Sequence, residues 1–158
     1  MMANSFTSAS LPAIAGILGS AWTSGAIASL TLVGIPTARA IPQASTQIWH
    51  GLFLRGMALL PKVAVGTALS YVYAAYNNQD QKSMKGYLVA AGLVVSIVPF
   101  TIIFMGSTNA ALIGSATGSL PLQQAQALDI IRKWGYLNLT RSVLPLTAAA
   151  VGMRALLN

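Results

Sequence analysis

Apolar residues fall into four long runs, over 11–35, 49–76, 86–106 and 137–157, with short polar stretches between them. Crossing the hydrocarbon core of a bilayer as a helix takes about 20 mostly apolar residues. The first run carries no charge and is followed by Pro36, and the third is uncharged and dense in Val, Ile and Leu. The second is apolar except for Arg55 and Lys62, and the fourth holds Arg141 and Arg154. The connections over 37–48 and 77–85 are short and polar. The stretch 107–133 is longer, and within 122–133 the spacing of Leu122, Ala125, Leu128 and Ile131 suits a short amphipathic helix lying along the interface. The pattern therefore predicts an all-α integral membrane four-helix bundle, a single transmembrane domain over 1–158, with a short interfacial helix before the last span.

Small residues crowd the runs: Gly16, Gly19, Ser20, Ser24 and Gly25 in the first, Gly56 and Gly66 in the second. Between membrane helices they allow close backbone approach, within one chain or between copies, so a homo-oligomer is compatible with the pattern. Trp22, Trp49, Tyr71, Tyr73, Tyr76, Trp134 and Tyr136 mostly sit near run ends, as interfacial aromatics do. Four spans place both termini on one side. Lys82, Lys85 and Arg154 then stand against Arg39, Arg132 and Lys133, which leaves orientation open. With no Lys or Arg before Arg39, the first run is expected to be retained as a membrane address rather than cleaved as a leader.

Composition sharpens this picture. Only 7% of the 158 residues are charged, against about 25% in soluble domains, and mean hydropathy is +0.67. A soluble globule of this size lacks the charge to cover its surface. The two acids are Asp80 and Asp129, with no Glu, which excludes paired-carboxylate hydrolysis and carboxylate-rich metal centres. Zero cysteines exclude thiolate nucleophiles and Fe–S clusters, and a single histidine excludes a multi-histidine metal site within one chain. The net charge of +7 is spread along the chain, which fits anionic lipid headgroups and not nucleic acid.

Charges inside spans are costly and normally face the bundle interior, water or headgroups. Arg55 and Lys62, seven positions apart, share a helical face with no acid nearby. Each either snorkels to a membrane surface or holds an anionic ligand. Trp134, Asn138 and Arg141 follow i, i+4, i+7 spacing and form one stripe. It is either a set of N–H donors for an oxygen-bearing ligand or an interhelical clamp on backbone carbonyls opened by Pro145 or Pro61. Thr108 and Asn109 lie in a polar turn expected to end the third run, where Asn109 either caps the next helix or faces a cavity. His50, beside Trp49, is the only side chain with an ordinary pKa near neutrality and so the natural general base. A lone histidine also suits a surface hydrogen bond or a single axial haem ligand. From the residues alone, a small carrier or assembly subunit that binds anionic lipid or solute stands beside an enzyme.

Four stretches carry a resemblance: Trp22-Thr-Ser-Gly25 leading to Gly34-Ile-Pro36; Arg55-Gly56 with Pro61; Pro99, Thr101, Met105, Thr108-Asn109 and Leu112; and Trp134, Asn138 and Arg141. In this order, from Trp22 to Arg154, the chain resembles the DUF1772 family, which includes fungal anthrone oxygenases of polyketide pathways. The resemblance implies oxidation of an anthrone to an anthraquinone by O₂, with no flavin, haem or metal required. It implies a hydrophobic polycyclic aromatic substrate and an endomembrane location. In the roles it suggests, His50 is the base, and Arg55, Asn138 and Arg141 hold the oxyanion and phenolic oxygens. Asn109 orients the substrate, Trp134 stacks on its rings, and Thr108 and Lys62 are further substrate contacts. His50 and Arg55 lie about 140° apart on a regular helix, so they converge only if that helix begins after His50.

Overall fold

The computed structural model describes residues 10–158, and among them every regular element is helical. Helix α1 (Ser10–Ser29) runs through a π-helical segment (Leu30–Gly34) into α2 (Ile35–Ala40). A single 3₁₀ turn (Pro42–Ala44) then leads into α3 (Ser45–Tyr76). Helices α4 (Gln81–Val95), α5 (Ile97–Thr117) and α6 (Gln124–Leu156) complete the chain. Three stretches, Ser10–Ala40, Pro42–Tyr76 and Gln81–Thr117, are long and apolar enough to cross a membrane.

Local chemistry explains three helix ends. Asp80 caps α4, accepting from the Ser83 backbone N–H at 2.7 Å, and that bond holds its carboxyl below the usual carboxylate range. Helix α4 stops at Val95, the residue four before Pro99, because a proline ring collides with the carbonyl at i−4. Gly118 takes a positive φ of 78°, which turns the chain out of α5 without the strain a Cβ would bring.

The short polar 37–48 connection is mostly helical, leaving only a tight turn between α2 and α3. Two expectations need correction. The third run does not end in a polar turn near Gly106: α5 continues through Thr108 and Asn109 to Thr117. The segment 122–133 is not a separate interfacial helix but the start of α6, because nothing between Arg132 and Leu137 stops a helix. Gly135 in that stretch is a packing residue; a Cβ there would meet Ile35 at 3.4 Å and Thr31 at 3.5 Å.

The chain divides into two compact units. The first comprises α1 to Ser24, α3 from Pro61, α4 and α6 from Val143. Its core is Tyr71, Tyr87 and Val94 among many alanines, with Tyr71 wedged where Gly16 and Gly152 leave room. A Cβ at Gly152 would lie 2.6 Å from the Tyr71 hydroxyl oxygen and ring, and one at Gly16 would lie 2.8 Å from the ring. The Tyr71 hydroxyl donates to the Ala148 carbonyl at 3.1 Å and accepts from the Ser20 hydroxyl at 3.3 Å.

The second unit comprises α1 from Gly25, the π segment, α2, α3 to Leu60, α5 from Val98 and α6 to Ser142. Its core gathers Ile35, Trp49, Met105, Leu112, Ile131 and Trp134, and it holds the polar cluster described next.

Candidate functional site

In the second unit α6 turns one stripe inward. Trp134, Asn138 and Arg141 are 3%, 0% and 8% exposed. The helical period that aligns them on one face in sequence thus buries all three. Each reaches a neighbouring helix. Asn138 Nδ2 donates to the Ile27 carbonyl of α1 at 2.7 Å and to the Thr31 hydroxyl at 3.0 Å. The Thr31 hydroxyl donates in turn to the Gly135 carbonyl of α6 at 3.1 Å. Arg141 donates from Nη2 to Asn138 Oδ1 at 2.7 Å and from Nη1 to the Thr101 hydroxyl of α5 at 2.8 Å. The Trp134 indole N–H donates to Asn109 Oδ1 of α5 at 2.8 Å. Its ring meets Trp49 of α3 edge-to-face, with centroids 5.6 Å apart and planes at 86°. Trp49 stacks in turn on Phe53 at 5.1 Å and beside His50 at 6.4 Å.

This arrangement buries a guanidinium with neutral hydrogen-bond partners. Both acids of the chain are engaged elsewhere: Asp80 caps α4, and Asp129 lies 3.6 Å from Arg132 on an exposed face. Burying a cation without an opposite charge costs free energy that neutral hydrogen bonds only partly offset. Such a group is poised to bind an anion, or a ligand that becomes one.

The other expected residues lie as follows. His50 is half-buried at the edge of the aromatic group. Arg55 is exposed and donates to the Gly51 carbonyl of its own helix at 3.1 Å, so it is not gathered with Arg141. The reason is helical phase. α3 begins at Ser45, before His50, so the two residues stay on different faces. Lys62 is exposed and belongs to the first unit. Thr108 is buried, but its hydroxyl is taken by the Met105 carbonyl of its own helix at 2.9 Å. Asn109 does not cap a following helix; it sits within α5 and receives the Trp134 indole.

Sequence reasoning underused Trp49, which reads as an interfacial aromatic but is fully buried. The signal was its i, i+4 pairing with Phe53, a spacing that places two aromatic rings on one helical face. Thr31 and Thr101 carried no distinctive pattern as hydrogen-bonding partners. Among the described residues no group of three or more His, Cys, Asp or Glu side chains could hold a metal ion.

Comparison with known proteins bears on this cluster. The family described as anthrone oxygenase matches residues 49–151, a stretch that starts at Trp49 and contains His50, Asn109, Trp134, Asn138 and Arg141. The monooxygenase hypC of Dothistroma septosporum is 32% identical over 87% of this chain and 78% of its own length. Anthrone oxygenase AgnL2 of Paecilomyces divaricatus is 34% identical over 90% of this chain and 93% of its own. The noranthrone monooxygenase of Aspergillus flavus is 28% identical over 87% and 69%. No solved structure matches. Matched across most of its length by both the family and these relatives, the chain belongs to the anthrone oxygenase family.

Proposed function

We propose that this chain is a multi-pass integral membrane enzyme that oxidises a polycyclic anthrone to the anthraquinone with O₂, using no metal or organic cofactor. The observation that carries the reading is the buried guanidinium of Arg141, held by Asn138 and Thr101 inside the family-matched stretch and without a carboxylate partner.

The anthrone methylene lies between two aromatic rings and opposite a carbonyl, so removing one proton gives a delocalised anthranolate whose charge rests largely on that oxygen. His50 accepts the proton. Arg141, oriented by Asn138 and Thr101, stabilises the oxyanion as it forms, the differential interaction that lowers a barrier. The anion passes one electron to O₂, and the radical and superoxide combine at the former methylene carbon to give a peroxide. After protonation, loss of the second C–H proton with cleavage of the O–O bond leaves the new carbonyl and releases water. One anthrone and one O₂ give one quinone and one water, with no external reductant.

Membrane placement supports the same reading, because the substrate is flat and greasy. Helix α6 falls outside the three apolar stretches, since Asn138 and Arg141 lower its hydropathy. Both of those face inward, whereas Val143, Leu146 and Met153 are exposed, the pattern of a fourth span with a polar inner face. Lipid is then the surrounding medium, and the exposed small and apolar faces leave association with a second copy open to a cross-linking test.

The test is direct: membranes containing the protein, supplied with an anthrone in air, should form quinone and consume equimolar O₂ faster than the spontaneous reaction. A rate equal to that of membranes without the protein would overturn the reading.

A further inference from the structure

Two buried side-chain polar atoms have no hydrogen-bond partner among the described residues, Trp49 Nε1 and Arg141 Nε. Both belong to the second unit. They also share a chemical sense: each is an N–H donor, and among the described residues no buried side-chain acceptor is left over. Buried donors are nearly always satisfied, and leaving one unpaired costs free energy. Two unpaired donors therefore call for a partner that brings acceptors.

The contrast between two indoles sharpens the point. Trp134 and Trp49 touch edge-to-face, yet the Trp134 N–H is satisfied by Asn109 while the Trp49 N–H is not. Asn109 therefore serves one ring and leaves the other. Trp49 is fully buried, so bulk water does not reach its nitrogen. Phe53 and Trp134 make the surroundings of that donor flat and aromatic. Along α6, Trp134 and Arg141 stand two turns apart, about 10 Å at 1.5 Å per residue, so the two donors need not address the same atom.

We propose that Trp49 is a substrate-binding residue, its indole N–H donating to an oxygen of an aromatic ketone or phenol whose other oxygen receives the Nε–H of Arg141. The proposal rests on the anthrone reading and narrows it. The preferred ligand carries oxygen acceptors at two separated positions of a flat polycycle, as a hydroxylated anthrone and its quinone do and an unsubstituted aromatic hydrocarbon does not.

The test uses the protein in lipid nanodiscs with ¹⁵N-labelled tryptophan. The chain has three tryptophans, so three indole N–H signals appear, assigned by single Trp→Phe variants. Titration with a hydroxylated anthraquinone should move the Trp49 indole proton downfield and slow its exchange, while exposed Trp22 stays unchanged. Anthracene, which lacks oxygen, should produce no such shift. In parallel, Trp49→Phe should raise KM for the hydroxylated anthrone about tenfold with little change in kcat. A Trp49 signal that shows contact with a bound water before titration and ignores the quinone overturns the proposal, as does equal displacement by anthracene. Turnover of anthrone with an unmoved Trp49 signal overturns this proposal alone. A shifted Trp49 signal in a protein that does not turn over anthrone supports this donor assignment and overturns the oxygenase reading.

Discussion

Asn138 works in two directions at once: its carbonyl oxygen accepts from Arg141 Nη2 at 2.7 Å while its amide nitrogen is anchored on the Ile27 carbonyl at 2.7 Å. The amide thereby fixes the guanidinium to a backbone atom of another helix without supplying a counter-charge. Thr101 fixes the guanidinium from a third helix, α5. A cation held this way is oriented in advance and keeps its full charge for a ligand, the preorganisation that makes electrostatic stabilisation effective.

Asn138→Asp separates orientation from charge. The carboxylate still accepts from Arg141, but the donors to Ile27 and Thr31 are lost and Arg141 acquires an internal counter-ion. Anthrone turnover should fall about 100-fold, the scale of losing one preorganised oxyanion contact. Stability should fall by about 1–2 kcal/mol for the hydrogen bonds removed. Oxygen uptake and thermal unfolding of the purified variant measure the two; full activity in Asn138→Asp would show that the unneutralised cation is unnecessary.

Arg141→Met removes the charge while keeping much of the bulk. Losing an unpaired buried charge relieves its desolvation cost while Asn138 Oδ1 and Thr101 lose their donor, so the two effects oppose and Tm should shift by no more than a few degrees. Activity should drop by about 100-fold or more. Arg141→Lys keeps a charge but not the planar fork that reaches Thr101 and Asn138 together, and should retain a small part of the activity. A loss of Tm matching the loss of activity in Arg141→Met would assign Arg141 a structural role only.

Much of this arrangement is legible in the sequence, for identifiable reasons. The helices are visible because long uncharged runs have few alternatives in lipid. The Trp134, Asn138 and Arg141 stripe is visible because helical period alone aligns it. What the stripe touches is less legible: Ile27 contributes a backbone carbonyl, and Thr31 and Thr101 are two ordinary threonines among many. Arg55 shows the opposite difficulty. An unpaired cation in an apolar run suggests an inward site, but a long side chain that can bond the carbonyl four residues back remains outside. The start of α6 was hidden for a third reason: amphipathic spacing marks a helical face equally well in an isolated helix and in the first turns of a longer one.

Exposure makes Arg55→Ala and Lys62→Ala mild changes. Neither side chain is part of the buried cluster, so each single variant should keep kcat/KM within about threefold and Tm within about 2 °C of the parent, as surface substitutions do. Anthrone turnover in membranes checks this. A hundredfold loss in Arg55→Ala would place its guanidinium on the substrate after all.

In the first unit, Gly152→Ala tests packing away from the polar cluster. Its Cβ would stand 2.6 Å from Tyr71, which is fixed by hydrogen bonds to Ala148 and Ser20 and cannot easily withdraw. Overpacking of this kind should destabilise by about 1–3 kcal/mol. Tyr71→Phe, which removes only the hydroxyl, should cost about 1 kcal/mol. Combining them should recover part of the loss, since the missing oxygen is one of the atoms the new methyl meets. Additive losses would show that the backbone, not the ring, had moved.

His50 is the chain's one histidine, and the proton-accepting role proposed for it has a distinct kinetic signature. If it removes the methylene proton, His50→Gln preserves polarity and approximate size but lowers kcat about 100-fold, the usual contribution of a positioned base. Deuteration of the anthrone methylene separates this from a binding defect: with proton removal made slower, the primary isotope effect on kcat should grow in the variant. In His50→Ala, which vacates the ring's place, added imidazole should restore part of the rate, because His50 is only half-buried and a small base has a route there. Full activity with an unchanged isotope effect in His50→Gln would transfer the proton to another acceptor, and the substrate's own phenolate would be the next group to test.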